Sequence, residues 1–109
     1  MEKRTIEEII TSLMKECGLG NVISPIKSVS GGFLHRMYKV VTECGTYAVK
    51  CLNPEIMGRE GVLDNYNRAE RIEGILEKAN IPIVSAITVN SKKMQNIDGR
   101  YFYSFRWQE

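Results

Sequence analysis

Hydrophobic and polar positions change period several times along this chain. Ile6, Ile9, Ile10, Leu13, Met14 and Cys17 recur at three- and four-residue steps, the spacing of one helix face. Thr5 stands three residues before Glu8, the pattern of a capping box, in which each side chain accepts from the other's backbone N–H. Gly18 and Gly20 follow and stop the helix. The period then falls to two. Ile23 to Ser30, His35 to Glu43 and Thr46 to Asn53 read as three strands, rich in β-branched and aromatic residues. Gly31-Gly32 join the first pair and Cys44-Gly45 the second, which makes an antiparallel meander.

Residues 53–61 read as a loop, marked by Asn53-Pro54 and two glycines. From Val62 to Ala79 the helical period returns, with Val62, Tyr66, Ala69, Ile72, Leu76 and Ala79 on one face and Asn80 and Pro82 at its end. Ile83 to Ser91 and Arg100 to Trp107 alternate again, and Asn96-Ile97-Asp98-Gly99 holds the turn before the last run. The expected fold is α+β: a five-stranded antiparallel sheet, an N-terminal helix and one helix inserted between strands 3 and 4. Residues 1–109 suffice for one domain.

Composition narrows the function classes. A net charge of +2, spread along the chain, argues against nucleic acid and against a membrane surface. No apolar run approaches the roughly 20 residues of a membrane helix. "MEKRTIEEII" holds no apolar signal core. Cys17, Cys44 and Cys51 make no C-x-x-C pair, and an odd count suits a reducing cytoplasm. With His35 the single histidine, no metal site is expected.

One residue does not fit a plain core. In "GTYAVKCLN", Tyr47 and Val49 point to one face of the strand and Ala48 and Lys50 to the other. A half-buried lysine needs an opposite charge or it loses its proton. The second helix offers Glu70 and Glu73, of which Glu73 lies nearer the apolar stripe by a 100° step. Glu77 reads as a solvated charge. Ser30-Gly31-Gly32-Phe33 is either a simple hairpin turn or a backbone able to approach phosphate oxygens. His35, just past it, starts an exposed strand on its own pattern. Phe105 and Trp107 alternate on the last strand, as core residues do.

Strand, glycine turn, strand, hairpin and a strand with Ala-x-Lys, in that order, resemble the N-terminal lobe of the protein-kinase-like fold. The closest resemblance is to the aminoglycoside phosphotransferase and choline/ethanolamine kinase group. It is carried by "SGGFLHRMYKV", "GTYAVKCLN", "YNRAERIEGILEKANIPIV" and "YFYSFRWQE" and covers Ile23 to Glu109. The glycine turn departs from the protein-kinase G-x-G-x-x-G pattern, a departure the small-molecule group tolerates. The resemblance implies ATP as cofactor with Mg²⁺, and phosphate transfer to a small-molecule hydroxyl. It implies that Ser30, Gly31, Gly32 and Phe33 cover the phosphates and that Ala48 lies against adenine. Lys50 would hold the α- and β-phosphates, fixed by Glu70, with Glu73 as the alternative. Phe105 would close the back of the pocket and the main chain of Arg106 to Gln108 would read the adenine edge. Trp107 would pack on the cleft or on a neighbouring lobe.

The catalytic aspartates and Mg²⁺ ligands of such an enzyme belong to a second lobe, and no H-x-D-x-x-x-x-N, D-F-G or D-x-D segment occurs here. The chain alone is therefore expected to be inactive, with an exposed apolar lobe surface suited to self-association. The competing reading is a non-catalytic α+β protein-binding module. A small nucleic-acid binder is disfavoured, because Tyr101, Phe102 and Tyr103 alternate faces and make no single stacking platform.

Overall fold

The computed structural model describes residues 4–29, 35–80 and 84–108. Helix α1 spans Ile6–Glu16. Its capping box is formed: the Glu8 N–H donates to Thr5 Oγ1 at 3.2 Å, and the Thr5 N–H donates to Glu8 Oε1 at 3.3 Å. The inner face buries Ile9, Ile10, Leu13 and Met14, none more than 4% exposed.

Strands β1 (Lys27–Val29), β2 (Arg36–Thr42) and β3 (Gly45–Cys51) run antiparallel. A short helix α2 (Pro54–Met57) and the long α3 (Val62–Lys78) follow, then β4 (Gln95–Ile97) and β5 (Arg100–Arg106). The five strands form one antiparallel sheet in the order β1-β2-β3-β5-β4, so the molecule is α+β. Burial alternates residue by residue along β2 and β3. One sheet face carries Tyr38, Val40, Tyr47, Val49, Cys51 and Phe102 and packs against α1 in a single apolar cluster. A second, smaller cluster on the other side joins Leu52, Met57, Ala86 and Tyr103, with Val62 and Tyr66 of α3 packed against it. No helix among the described residues is long and apolar enough to cross a membrane.

Gly20 shows how closely the α1–sheet connection is packed. Its φ is +101°, and a Cβ there would stand 2.8 Å from Cys44 Sγ. The connection is locked by the buried Thr42, whose hydroxyl donates to Leu19 O at 2.6 Å.

Several expectations need correction. The first strand begins at Lys27, not Ile23; before it Val22 makes only an isolated bridge to Thr42. The β2–β3 hairpin turns on Glu43-Cys44, with Gly45 already paired to Thr42. The loop after β3 contains α2, capped by Asn53 Oδ1 accepting from the Glu55 N–H at 2.9 Å.

The largest correction concerns the fourth strand. Residues 84–88 lie outside the ladder, tied to β5 by the bond from the Ile87 N–H to Ser104 O. The Ala86 N–H goes instead to Glu73 Oε1, so a helix acid takes an amide that a sheet edge needs. The chain then reverses at Asn90-Ser91 and supplies Gln95–Ile97 as β4, joined to β5 across Asp98-Gly99. Both turn residues have positive φ, +53° and +80°, as this tight hairpin demands.

Helix α3 is turned differently from the expected apolar stripe. None of its residues is fully buried, and Ile72 and Ile75 are 56% and 66% exposed. The edge facing the rest of the molecule is Tyr66, Glu70, Glu73 and Glu77. That side presents a hydroxyl, an amide and an ammonium, and burying these without acceptors costs more than exposing two isoleucines. Glu77 is not a free solvated charge: it pairs with Lys93, as does Glu73.

The packing predicts a contrast measurable by urea denaturation. Leu13→Ala, at a fully buried position, should lose about 2–5 kcal/mol. Ile23→Ala, 63% exposed, should change stability by less than about 0.5 kcal/mol.

Candidate functional site

Strand registers set out the open face of the sheet as a grid. Val41, Thr46 and Trp107 form one row, because Val41 pairs with Thr46 and the Trp107 N–H donates to Thr46 O at 3.1 Å. Lys39, Ala48 and Phe105 form the next, extended by Lys27 opposite Lys39. Met37, Lys50 and Tyr103 form the third. Directly paired residues share a face, so these side chains project together, away from α1. All but the exposed Lys27 and the buried Tyr103 are half-buried. The strands bring Lys27, Lys39 and Lys50 to this face and no acid with them.

Among the described residues, α3 meets this face at the Tyr103 corner. There Tyr103 Oη donates to Glu70 Oε2 at 2.8 Å. Burial, then the hydrogen bond to Glu70, push the Tyr103 hydroxyl far above its ordinary pKa, so it stays protonated and keeps donating. Lys50 is directly across the ladder from Tyr103. Lys50 makes no ion pair among the described residues; the Glu70 carboxylate accepts from Tyr103 instead. Glu73, the alternative partner, is taken by Lys93 and the Ala86 amide.

His35 belongs to the same corner. Its Nδ1 accepts from the Asn53 N–H at 2.9 Å, which fixes the neutral tautomer with hydrogen on Nε2. Nε2 lies 3.2 Å from Tyr66 Oη and donates to it. The ring is thus half-buried and doubly bonded, neither an exposed strand start nor a free phosphate ligand. Tyr66, Tyr103 and Phe105 continue as a tilted aromatic row with centroid separations of 5.9 and 6.5 Å. The row provides the apolar backing of the site.

The structure thus brings together Ala48, Lys50, Phe105 and, through Tyr103, Glu70. Ser30, Gly31, Gly32 and Phe33 lie outside the described residues. Arg106 and Gln108 are exposed, and their side chains line a separate cavity of about 410 Å³ with residues 84–88. Sequence reasoning missed Tyr103, Tyr66 and Lys39. The odd-numbered alternation of Tyr103, Phe105 and Trp107 was a visible signal, but its use required knowing that β5 lies beside β3.

The chain matches no protein-family model and no curated protein sequence.

His35 gives the corner a pH signature. Burial, and then the charge of Lys50, lower its pKa below the ordinary 6.5. As pH falls, the unfolded chain therefore takes up this proton before the folded one does. Its stability contribution is complete above about 6.5 and is lost as pH falls through the lowered value. The depressed carboxylates Glu77 and Asp98, with ordinary values of 4.5 and 3.8, act only at lower pH. Urea midpoints should therefore drop between pH 7.5 and about 5 in the unmodified protein and stay nearly level in His35→Gln.

Proposed function

We propose that this chain is the ATP-binding lobe of a kinase-like phosphotransferase that moves phosphate from ATP to a small-molecule hydroxyl. The observation that carries the reading is the position of Lys50: half-buried on an open sheet face, two residues from Ala48, with β5 as the neighbouring strand. The reading requires that adjacency. A base lying on Ala48 reaches the main chain that follows Phe105 only if the last strand is next to the lysine strand, and Ala48 is in register with Phe105.

The roles follow from the grid. The adenine rests on the small Ala48 against Phe105, and the main chain of Arg106 to Gln108 offers its polar edge. The triphosphate runs toward Lys50. A compact ammonium on a flexible stem suits phosphate oxygens, and a lysine-rich face free of strand acids adds attraction for a polyanion. Tyr103 holds Lys50 from one side, and Glu70 orients Tyr103. The role of these residues is to bind and position the nucleotide. Three free thiols accord with a cytoplasmic setting.

A second reading, a non-catalytic protein-binding module or self-associating domain, is favoured by the exposed Ile72 and Ile75 on α3. Nucleotide titration separates the two. In ¹H–¹⁵N spectra, ATP-Mg should perturb Ala48, Lys50 and Phe105. Lys50→Ala should weaken binding roughly ten- to a hundredfold, the loss of a charged hydrogen bond to phosphate, while spectral dispersion is kept. Perturbations confined to α3, or affinity that survives the substitution, would reject the site.

A further inference from the structure

We infer that the Trp107 indole is the platform on which the nucleotide's base stacks, and that Lys39 is a gate that covers this platform until the base displaces it. The inference rests on the nucleotide reading above and adds a specificity device to it.

The starting point is a contact that crosses a strand. Lys39 Nζ lies 4.6 Å from the centroid of the Trp107 ring. Lys39 belongs to β2 and Trp107 follows β5, with β3 between them. Two strand spacings amount to about 10 Å, so the lysine stem has to pass over the β3 backbone. It crosses between Thr46, in the row of Trp107, and Ala48, in its own row. These are small side chains. On β3 they stand in register between Lys39 and Val41 on one side and Phe105 and Trp107 on the other. The stem of Lys39 therefore lies across the place where a base resting on Ala48 would be.

Charge explains why the lysine adopts this pose. Lys27 stands directly opposite on β1, and like charges paired across strands repel. Lys39 makes no ion pair among the described residues. Its ammonium is thus pushed from β1 and settles on the indole face, a weak contact where water has access. A flat heterocycle gains more from the same indole face, because every base has a π-face to stack. Exchange also frees the ammonium, which then finds a stronger partner in the phosphates of the same ligand. One side chain covers the platform when no ligand is bound and contributes charge when a nucleotide arrives.

This produces effects of opposite sign for two ligands. Adenosine has no phosphate, so it must displace Lys39 without compensation, whereas ATP gains the released ammonium. Trp107 is the only tryptophan, so its fluorescence reports occupancy of the platform directly. In the full chain, adenosine and ATP should each quench Trp107. Lys39→Met should bind adenosine roughly two- to fivefold tighter, the size of an exposed cation–π contact. The same variant should bind ATP more weakly. Lys39→Arg, which keeps the cation on the ring, should follow the unmodified protein with both ligands and controls for folding. A lysine that only packs would shift both affinities in one direction. That result, or no quenching by millimolar adenosine while ATP still binds in a Lys50-dependent way, overturns the gate and leaves the nucleotide site standing. Absence of ATP binding to the unmodified chain overturns both.

Discussion

The hydrogen bond from the Tyr103 hydroxyl to the Glu70 carboxylate holds α3 at one corner of the sheet. That helix has no fully buried residue, and its apolar docking rests on Val62 and Tyr66 against the smaller cluster. What else ties it down is polar: Tyr103 to Glu70, the Ala86 amide to Glu73, and Lys93 between Glu73 and Glu77. Burial would lower the pKa of Lys93, but hydrogen bonds to the two glutamates outweigh it, and the ammonium stays charged. Each such bond is worth only about 0.5–1.5 kcal/mol net, yet loss of one partner strands a desolvated group at greater cost. The helix is thus fixed in direction without covering the sheet.

The two faces of the sheet consequently do different work. The α1 side is a closed core of aliphatic and aromatic residues in which Leu13, Met14, Val40, Val49 and Phe102 meet. The other side is an open wall of half-buried side chains carrying lysines, a small floor and an aromatic row. A packed sheet with one face left largely open by the described residues is a suitable base for a ligand, because its strands keep side chains in register. Lys50 sits at the boundary of these regimes. Its charge lowers the His35 pKa, and it pairs across the ladder with Tyr103, whose hydroxyl donates to Glu70.

How much of this was legible in the sequence depended on how local the information is. The capping box and stripe of α1, and the alternation of β2 and β3, are encoded within a few residues of themselves. Lys50 stood out because a charge interrupted an apolar alternation. The fourth strand was misplaced because its amides were assigned to a sheet edge when a distant glutamate takes one of them. Asn96-Ile97-Asp98-Gly99 reads whole as a turn, but Asn96 and Ile97 belong to β4 and only Asp98-Gly99 turn. The rotation of α3 was hidden for a related reason: its apolar stripe suggested one inner face, but partners distant in sequence demanded acids there. Tyr103 and Trp107 became meaningful only with β5 beside β3, a pairing that no local pattern specifies.

The central claim is that the uncovered face, and not the cavities at its margins, receives the base of a nucleotide. The most direct measurement is a set of intermolecular nuclear Overhauser effects between the base protons of ATP and the labelled chain in the presence of Mg²⁺. The account gives cross-peaks from the adenine protons to the Ala48 methyl and the Phe105 ring. Cross-peaks instead to residues 84–88, to α1, or to the outer side of α3 would contradict it.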